Sequence, residues 1–173
     1  MKVICLAGWS GAGKTTLLTK LIPWLTTQGL RVSVMKHAHH EFDVDVPGKD
    51  SWRHRQAGAT EVLVTGGKRW ALMHELGDAT EPPLVELLTR LSPVDLVLVE
   101  GFKHEPLHKI EVHRLANGKP LLFADDRRVV GIVSDGTVES ALPWAHLDDI
   151  AAVAAMVQAL AQPIETMSLL TPG

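Results

Sequence analysis

Residues 2–22 read KVICLAGWSGAGKTTLLTKLI, and this stretch decides the fold: an apolar run leads into a glycine-rich loop and then a helical pattern. Residues 8–15 match G-x-x-x-x-G-K-[S/T] in full. Glycines let successive N–H groups face one anion, Lys14 supplies charge to the outer phosphates, and Thr15 offers a hydroxyl to Mg²⁺. The stretch predicts binding of a nucleoside di- or triphosphate with magnesium, without choosing between ATP and GTP. The motif residues predicted to bind it are Gly8, Ser10, Gly11, Ala12, Gly13, Lys14 and Thr15.

Length and composition bound the architecture. The chain has 173 residues, of which 46% are apolar and 21% charged, and this composition is typical of a globular protein. We predict a single nucleotide-binding domain over residues 1–162 and a loosely ordered tail over residues 163–173. The net charge of −3 argues against a strongly basic surface, so nucleic acid is not an expected partner.

The single cysteine and the spread of apolar residues narrow the class further. Cys5 excludes an intrachain disulfide framework and a cysteine-based zinc cluster, and its apolar surroundings predict a buried, inert thiol. The first residues lack the long apolar stretch and cleavage site of a signal peptide, and no run approaches the ~20 apolar residues of a membrane helix. We therefore expect a cytoplasmic protein without a membrane partner.

Strand-like and helix-like segments alternate along the chain. Two glycine-containing turns, Gly66-Gly67 and Asn117-Gly118, predict antiparallel hairpins over 61–76 and 109–123, and either hairpin could join two copies of the chain. The pattern predicts an α/β three-layer sandwich of the P-loop NTPase type, with a mixed, mainly parallel sheet and added antiparallel hairpins. Further strands are expected at 2–8, 31–36, 94–99 and 128–134, and helices at 14–28, 50–57, 83–91 and from Asp148 or Asp149 onward.

A second acidic element follows the apolar strand that ends at residue 99. Glu100 comes directly after this strand, where many P-loop proteins carry an aspartate that helps to hold magnesium. The carboxyl end of a central parallel strand faces the ligand crevice, so Glu100 could hold the magnesium shell or orient a water. The alternative is a solvated carboxylate at a strand end.

The segment 37–51, HAHHEFDVDVPGKDS, gathers histidines and carboxylates after the second predicted strand. Asp43 and Asp45 alternate, so in an extended segment both side chains point the same way and could reach Mg²⁺. We predict them as magnesium ligands alongside Thr15 and Glu100, and Asp45 and Glu100 as the catalytic residues. The alternative for this loop is a zinc site formed by His37, His39 and His40.

Three segments together resemble one family. LAGWSGAGKTTLL, KHAHHEFDVDVPGKDS and LVLVEGFKHEPLHKIEVHR are similar to the MobB family of molybdopterin-guanine dinucleotide biosynthesis adaptor proteins. The likeness extends over about residues 3–155, through RWALM and the late GIVSD strand. Each motif occurs in other P-loop proteins, but their combination is specific.

The resemblance implies GTP binding and a role in the last steps of molybdenum cofactor assembly, where a GMP moiety is attached to molybdopterin. It further implies a homodimer with at most weak GTPase activity. The partners that it implies are a separate MobA-like guanylyltransferase and a MoeA-like molybdenum-insertion protein. Carried over to this chain, the nucleotide site runs from Gly11 to Thr16, with Glu100 as its acidic partner.

The chain departs from related P-loop GTPases at two points. Trp9 stands where such proteins often carry an extra lysine, so completion of the active site by a partner's loop lysine is not expected. No N-K-x-D guanine motif occurs, and the nearest substitute is Asp135, whose carboxylate could pair with the N1 and N2 hydrogens of guanine. The alternative for Asp135 is a turn residue beside Gly136.

Two other functions remain open at this point. An autonomous P-loop kinase for a small molecule would use arginines on the transferred phosphate, and the pairs Arg53/Arg55 and Arg127/Arg128 are available. A structural subunit with a degenerate nucleotide site is disfavoured by the intact Lys14 and Thr15.

Overall fold

Helices and strands alternate along the chain as the sequence predicts. The computed structural model describes residues 1–38, 42–102 and 105–169. The described strands are β1 (Lys2–Ala7), β2 (Val32–Lys36), β3 (Glu61–Thr65), β4 (Trp70–His74), β5 (Leu96–Glu100), β6 (Lys109–His113), β7 (Val129–Ser134), β8 (Trp144–His146) and β9 (Gln162–Pro163). The α-helices are α1 (Lys14–Thr27), α2 (Asp50–Gln56), α3 (Leu84–Thr89) and α4 (Ile150–Leu160).

The chain divides into two units. The first joins Met1–His37 to the chain from Leu84 onward, and the second spans Ala38–Pro83. The larger unit holds the glycine-rich loop and a mainly parallel sheet. The smaller unit holds α2 and the hairpin formed by β3 and β4.

The sheet of the first unit has the order β2-β5-β1-β6-β7-β8, with β9 added antiparallel to β1. The pairs along that order are all parallel, so the carboxyl ends of these strands share one edge. Ligands of open parallel sheets bind outside this edge. It carries the glycine-rich loop after β1, Glu100 at the end of β5, Arg114 after β6 and Asp135 after β7.

Helices and loops cover both faces of this sheet. One face packs Leu6 and Leu98 against α1 and α4, and the other packs Val3 and Val99 against α3. Continuous apolar strands such as β5 are typical of a parallel sheet buried on both sides. The predicted mainly parallel α/β sandwich is confirmed.

Several local predictions for the first unit can be compared with the structure. Helix α1 contains Pro23 and ends at Thr27, one residue before the end of the predicted range 14–28. Cys5 is fully buried, as predicted, and burial raises the pKa of its thiol to about 12. Residues Ile164–Leu169 form a 3-10 helix within the segment predicted as a loose tail, whose last residues lie outside the described part. No helix in the described ranges is long and apolar enough to cross a membrane.

The smaller unit contains the first predicted hairpin. Strands β3 and β4 pair antiparallel, with Thr65 opposite Trp70, and the Gly66 N–H donates to the carbonyl of Arg69 at 3.0 Å. The hairpin prediction is confirmed, although β4 ends at His74, two residues before the end of the predicted range 61–76. Helix α2 lies close to its predicted range.

The second predicted hairpin, over residues 109–123, is wrong. Strand β6 pairs parallel with β1 and with β7, and no return strand follows it in the described chain. Instead Leu115–Asn117 forms a 3-10 helix that Gly118 ends with φ +57°. The buried Glu111 carboxylate then accepts the N–H groups of Leu122 (2.7 Å) and Phe123 (3.0 Å). These bonds direct the chain into a second 3-10 turn rather than a strand.

Candidate nucleotide-binding site

The glycine-rich loop joins β1 to α1 in the arrangement that the motif predicts. Gly13 precedes α1 with φ +92°, a conformation that favours glycine. The first N–H groups of the helix therefore open toward the carboxyl edge of the sheet, where an anion can accept them. The Lys14 ammonium donates to the carbonyls of Gly8 (2.8 Å) and Trp9 (3.1 Å) and so lies across the loop.

The surroundings of Lys14 change the pKa of its ammonium. Burial lowers the pKa of this ammonium, and the nearby Glu100 carboxylate opposes that shift. A partly desolvated cation interacts more strongly with an anion than one in bulk water does. Its present acceptors are neutral carbonyls, which phosphate oxygens can replace with stronger, charge-assisted bonds.

Thr15 and Glu100 meet although they are 85 positions apart in the sequence. The Thr15 hydroxyl donates to Glu100 Oε1 at 2.9 Å. Glu100 is 8% exposed, which does not fit the alternative of a solvated strand-end carboxylate. A hydroxyl and a carboxylate oxygen side by side are the kind of hard ligands that Mg²⁺ prefers.

Two residues at this edge, Arg114 and Asn117, are not among the predicted site residues. A Cβ built on Gly13 would lie 3.0 Å from Nε and 3.2 Å from Nη2 of Arg114, so the guanidinium rests directly on the loop. The Asn117 amide donates to the carbonyl of Ser10 at 3.4 Å. Both follow β6, which was predicted as an arm of a hairpin. A parallel assignment would have placed them at the ligand edge.

Asp135 lies at the same edge, at the end of β7. Its Oδ1 accepts the Leu115 N–H at 2.9 Å, and its Oδ2 lies 3.8 Å from Nη1 of Arg114. A carboxylate has about four lone-pair sites, so these contacts leave acceptor capacity. Its role in guanine recognition stays a prediction.

Trp9 contacts the segment after β6 instead of extending from the loop. Its indole N–H donates to the carbonyl of Pro120 at 2.8 Å, and the Lys119 ammonium lies 5.9 Å from the ring centroid. Together with Asn117, this segment supports the outer turn of the glycine-rich loop.

The predicted magnesium ligands of the smaller unit are engaged in ion pairs. Arg55 donates to Asp43 (2.7 Å), Asp45 (3.3 Å) and Glu75 (2.8 Å), and the Ser51 hydroxyl donates to Asp45 at 2.8 Å. Burial works against ionisation of Asp45, but hydrogen bonds from Ser51, the Val46 N–H and Arg55 still lower its pKa. A magnesium role for Asp43 and Asp45 stays a prediction.

The alternative zinc site of His37, His39 and His40 falls mostly outside the described residues, which omit His39 and His40. The His37 ring packs on Phe102 with centroids 4.7 Å apart. Within the described ranges, no cluster of three or more His, Cys, Asp or Glu side chains is arranged to hold a metal ion.

Comparison with known proteins identifies the family. The MobB family model, "Molybdopterin guanine dinucleotide synthesis protein B", matches residues 3–135. The Escherichia coli molybdopterin-guanine dinucleotide biosynthesis adapter protein is 44% identical over 158 residues, covering 90% of each chain. The Haemophilus influenzae protein of the same name is 48% identical over 124 residues, covering 70% of this chain and 68% of the relative.

Solved structures agree with this assignment. A crystal structure of molybdopterin-guanine biosynthesis protein B superposes with a TM-score of 0.73 at 28% identity, covering 91% of this chain and 99% of that one. The glycine-rich loop, Glu100 and Arg114 all lie within the matched range of the family model. The resemblance inferred from the sequence is confirmed, and the chain belongs to the MobB family of molybdopterin-guanine dinucleotide biosynthesis adaptor proteins.

Proposed function

We propose that this chain is a GTP-binding adaptor protein that assists GMP attachment to molybdopterin by a MobA-like guanylyltransferase. It acts as a homodimer, also associates with a MoeA-like molybdenum-insertion protein, and hydrolyses GTP weakly. The observation that carries the nucleotide part of this proposal is the 2.9 Å contact between Thr15 and Glu100 beside the glycine-rich loop. The adaptor part is supported by the names of the curated relatives.

In this proposal the loop N–H groups and Lys14 hold the phosphates, and Thr15 and Glu100 hold magnesium. Bound magnesium neutralises phosphate charge and fixes the outer phosphates relative to each other. The contact between Thr15 and Glu100 supports this assignment because their side-chain oxygens are close enough together to bind the same magnesium ion. Asp135 reads guanine through its remaining acceptor positions.

An autonomous kinase is the second candidate, and the contacts of Arg55, one of the arginines named for it, weigh against the use of that arginine. A kinase needs arginines that swing onto the transferred phosphate. Arg55 of the smaller unit instead donates to Asp43, Asp45 and Glu75. A guanidinium tied to these carboxylates is poorly suited to such a movement.

A turnover experiment with purified protein tests the adaptor role. With GTP alone we expect rates far below the ~1 s⁻¹ at the low end of typical enzymes, rising when the guanylyltransferase is added. Calorimetry is expected to show tighter binding of GTP than of ATP. Rapid phosphate transfer to a small acceptor without any partner protein would favour the kinase and overturn the proposal.

Replacing Glu100 with glutamine is expected to weaken the magnesium dependence of GTP binding. The amide keeps the size of the side chain and can still accept from Thr15, but the ligand charge is lost. We expect GTP affinity in saturating magnesium to fall about 10-fold, the size of one charged contact, with little change in a metal chelator. Nucleotide titrations with and without magnesium measure this.

The matched control is Glu86→Gln. Glu86 is a glutamate of α3 bonded to Arg90 at 3.0 Å, and its substitution is expected to leave both titrations unchanged. If Glu100→Gln and the parent protein show identical metal dependence, Glu100 does not hold magnesium.

A further inference from the structure

Arg114 occupies a position at the ligand edge to which the proposed function assigns no role. It is the first residue after β6, and β6 lies beside β1, the strand that leads into the glycine-rich loop. A side chain leaving this strand end is therefore directed to the same edge as the loop. The Arg114 side chain is 38% exposed, so it is partly packed yet open to a ligand in solution.

The guanidinium lies against the last residue of the loop. Its Nε and Nη2 atoms are 3.0 and 3.2 Å from where a Cβ of Gly13 would be. Gly13 directly precedes Lys14 and Thr15, the residues assigned to the outer phosphates and magnesium. The planar edge formed by Nε and Nη2 is the one that arginine uses for bidentate binding of phosphate.

The contact of Arg114 with Asp135 leaves most of the guanidinium N–H donors able to bind a ligand. Within the described part of the chain its charged neighbour is Asp135 Oδ2, 3.8 Å from Nη1, which is longer than a hydrogen bond. A guanidinium has five N–H donors, so this loose ion pair orients the side chain without saturating it. Residues 8–16, the loop and the first residues of α1, contain one cation, Lys14, and no acid, so a second positive group could still contact a bound polyphosphate.

We propose that Arg114 is a second phosphate-binding cation of this site and contacts the β- or γ-phosphate of the bound nucleotide. The inference rests on the proposed nucleotide binding and adds a residue that the motif does not contain. Because Arg114 also faces Asp135, it links the phosphate end of the site to the end assigned to the base. Charge-assisted contacts of this type favour di- and triphosphates over a monophosphate.

The test compares GTP, GDP and GMP binding to the full chain and to Arg114→Ala by calorimetry. We expect affinity for GTP and GDP to fall about 10- to 100-fold and affinity for GMP to change less than about threefold. Arg114→Lys is expected to fall in between, since it keeps the charge but loses the bidentate fork. Circular dichroism and thermal unfolding check that each variant is folded, and the lysine variant serves if the alanine variant is not.

The matched control is Arg31→Ala. Arg31 is also an exposed arginine paired with an aspartate, Asp95, at 3.5 Å, but it precedes β2 at the opposite edge of the sheet. Its substitution is expected to leave all three affinities unchanged. Equal losses for GTP and GMP, or no loss at all, would overturn the proposal while the nucleotide site stands. Failure of the parent protein to bind any of the three nucleotides would instead overturn the proposed function, and this inference with it.

Discussion

Replacing Lys14 with alanine is expected to lower GTP affinity at least about 100-fold, because two charged contacts to phosphate worth about 1.5–3 kcal/mol each are lost. The Lys14 ammonium lies across the loop on the carbonyls of Gly8 and Trp9, where phosphate oxygens can take their place. The fold is expected to survive, since the side chain packs at the surface of the site and alanine favours the first turn of α1. Calorimetry gives the affinity, and thermal unfolding gives the stability.

The control for this variant lies on the same helix. Lys20 is an exposed lysine of α1 whose ammonium contacts Asp148 at 3.4 Å. We expect Lys20→Ala to bind GTP as the parent protein does, because an exposed ion pair contributes little and lies outside the loop. A Lys14→Ala protein that is folded and binds GTP unchanged would refute the assignment of the phosphate site.

Replacing Asp126 with alanine is expected to destabilise the protein by about 3–5 kcal/mol, a large part of the ~5–15 kcal/mol that stabilises a typical domain. The Lys109 side chain is 1% exposed, and its ammonium donates to Asp126 Oδ2 at 2.6 Å. Burial disfavours the Asp126 carboxylate, yet hydrogen bonds from Lys109 and the Arg128 N–H hold its pKa below the usual value. Without this carboxylate the buried ammonium has lost its countercharge. Urea unfolding followed by circular dichroism measures the change.

A second substitution separates the charge from the packing. Lys109→Met combined with Asp126→Ala is expected to regain more than half of the lost stability, because an apolar side chain of similar length can fill the buried position. Asp125→Ala is the control, since this neighbouring aspartate lies in the same turn. An Asp126→Ala protein within about 1 kcal/mol of the parent would show that water or another group compensates Lys109.

The sequence patterns predicted elements whose signals are local. The glycine-rich loop, the apolar β5 strand ending at Glu100 and the hairpin around Gly66-Gly67 each depend on a short run of residues. The backbone preferences of these runs and the spacing of their apolar residues can be recognised without knowledge of the rest of the chain. The family resemblance comes from the glycine-rich loop, the segment 36–51 and the stretch that begins with the β5 strand, and it is confirmed.

The predictions that failed or stayed incomplete concern long-range pairing. Asn117-Gly118 is a strong hairpin signal, yet β6 pairs parallel with β1 and β7, and Gly118 ends a 3-10 helix. The short strands β8 and β9 were missed because two or three residues carry no period of their own. The pairing of the buried Lys109 with the partly exposed Asp126 also depends on the tertiary fold and not on sequence spacing.

The sequence by itself determined that a phosphate-binding loop stands between a buried strand and a helix, because glycines, a lysine and a threonine at that spacing specify local backbone and charge. It also placed an acidic residue at the end of an apolar strand. Only the tertiary structure decided that Thr15 meets Glu100, that Arg114 rests on Gly13 and that Asp43 and Asp45 pair with Arg55. Such contacts depend on which strands become neighbours and how segments fold back, and that choice is made by burial across the whole chain and not by any one segment.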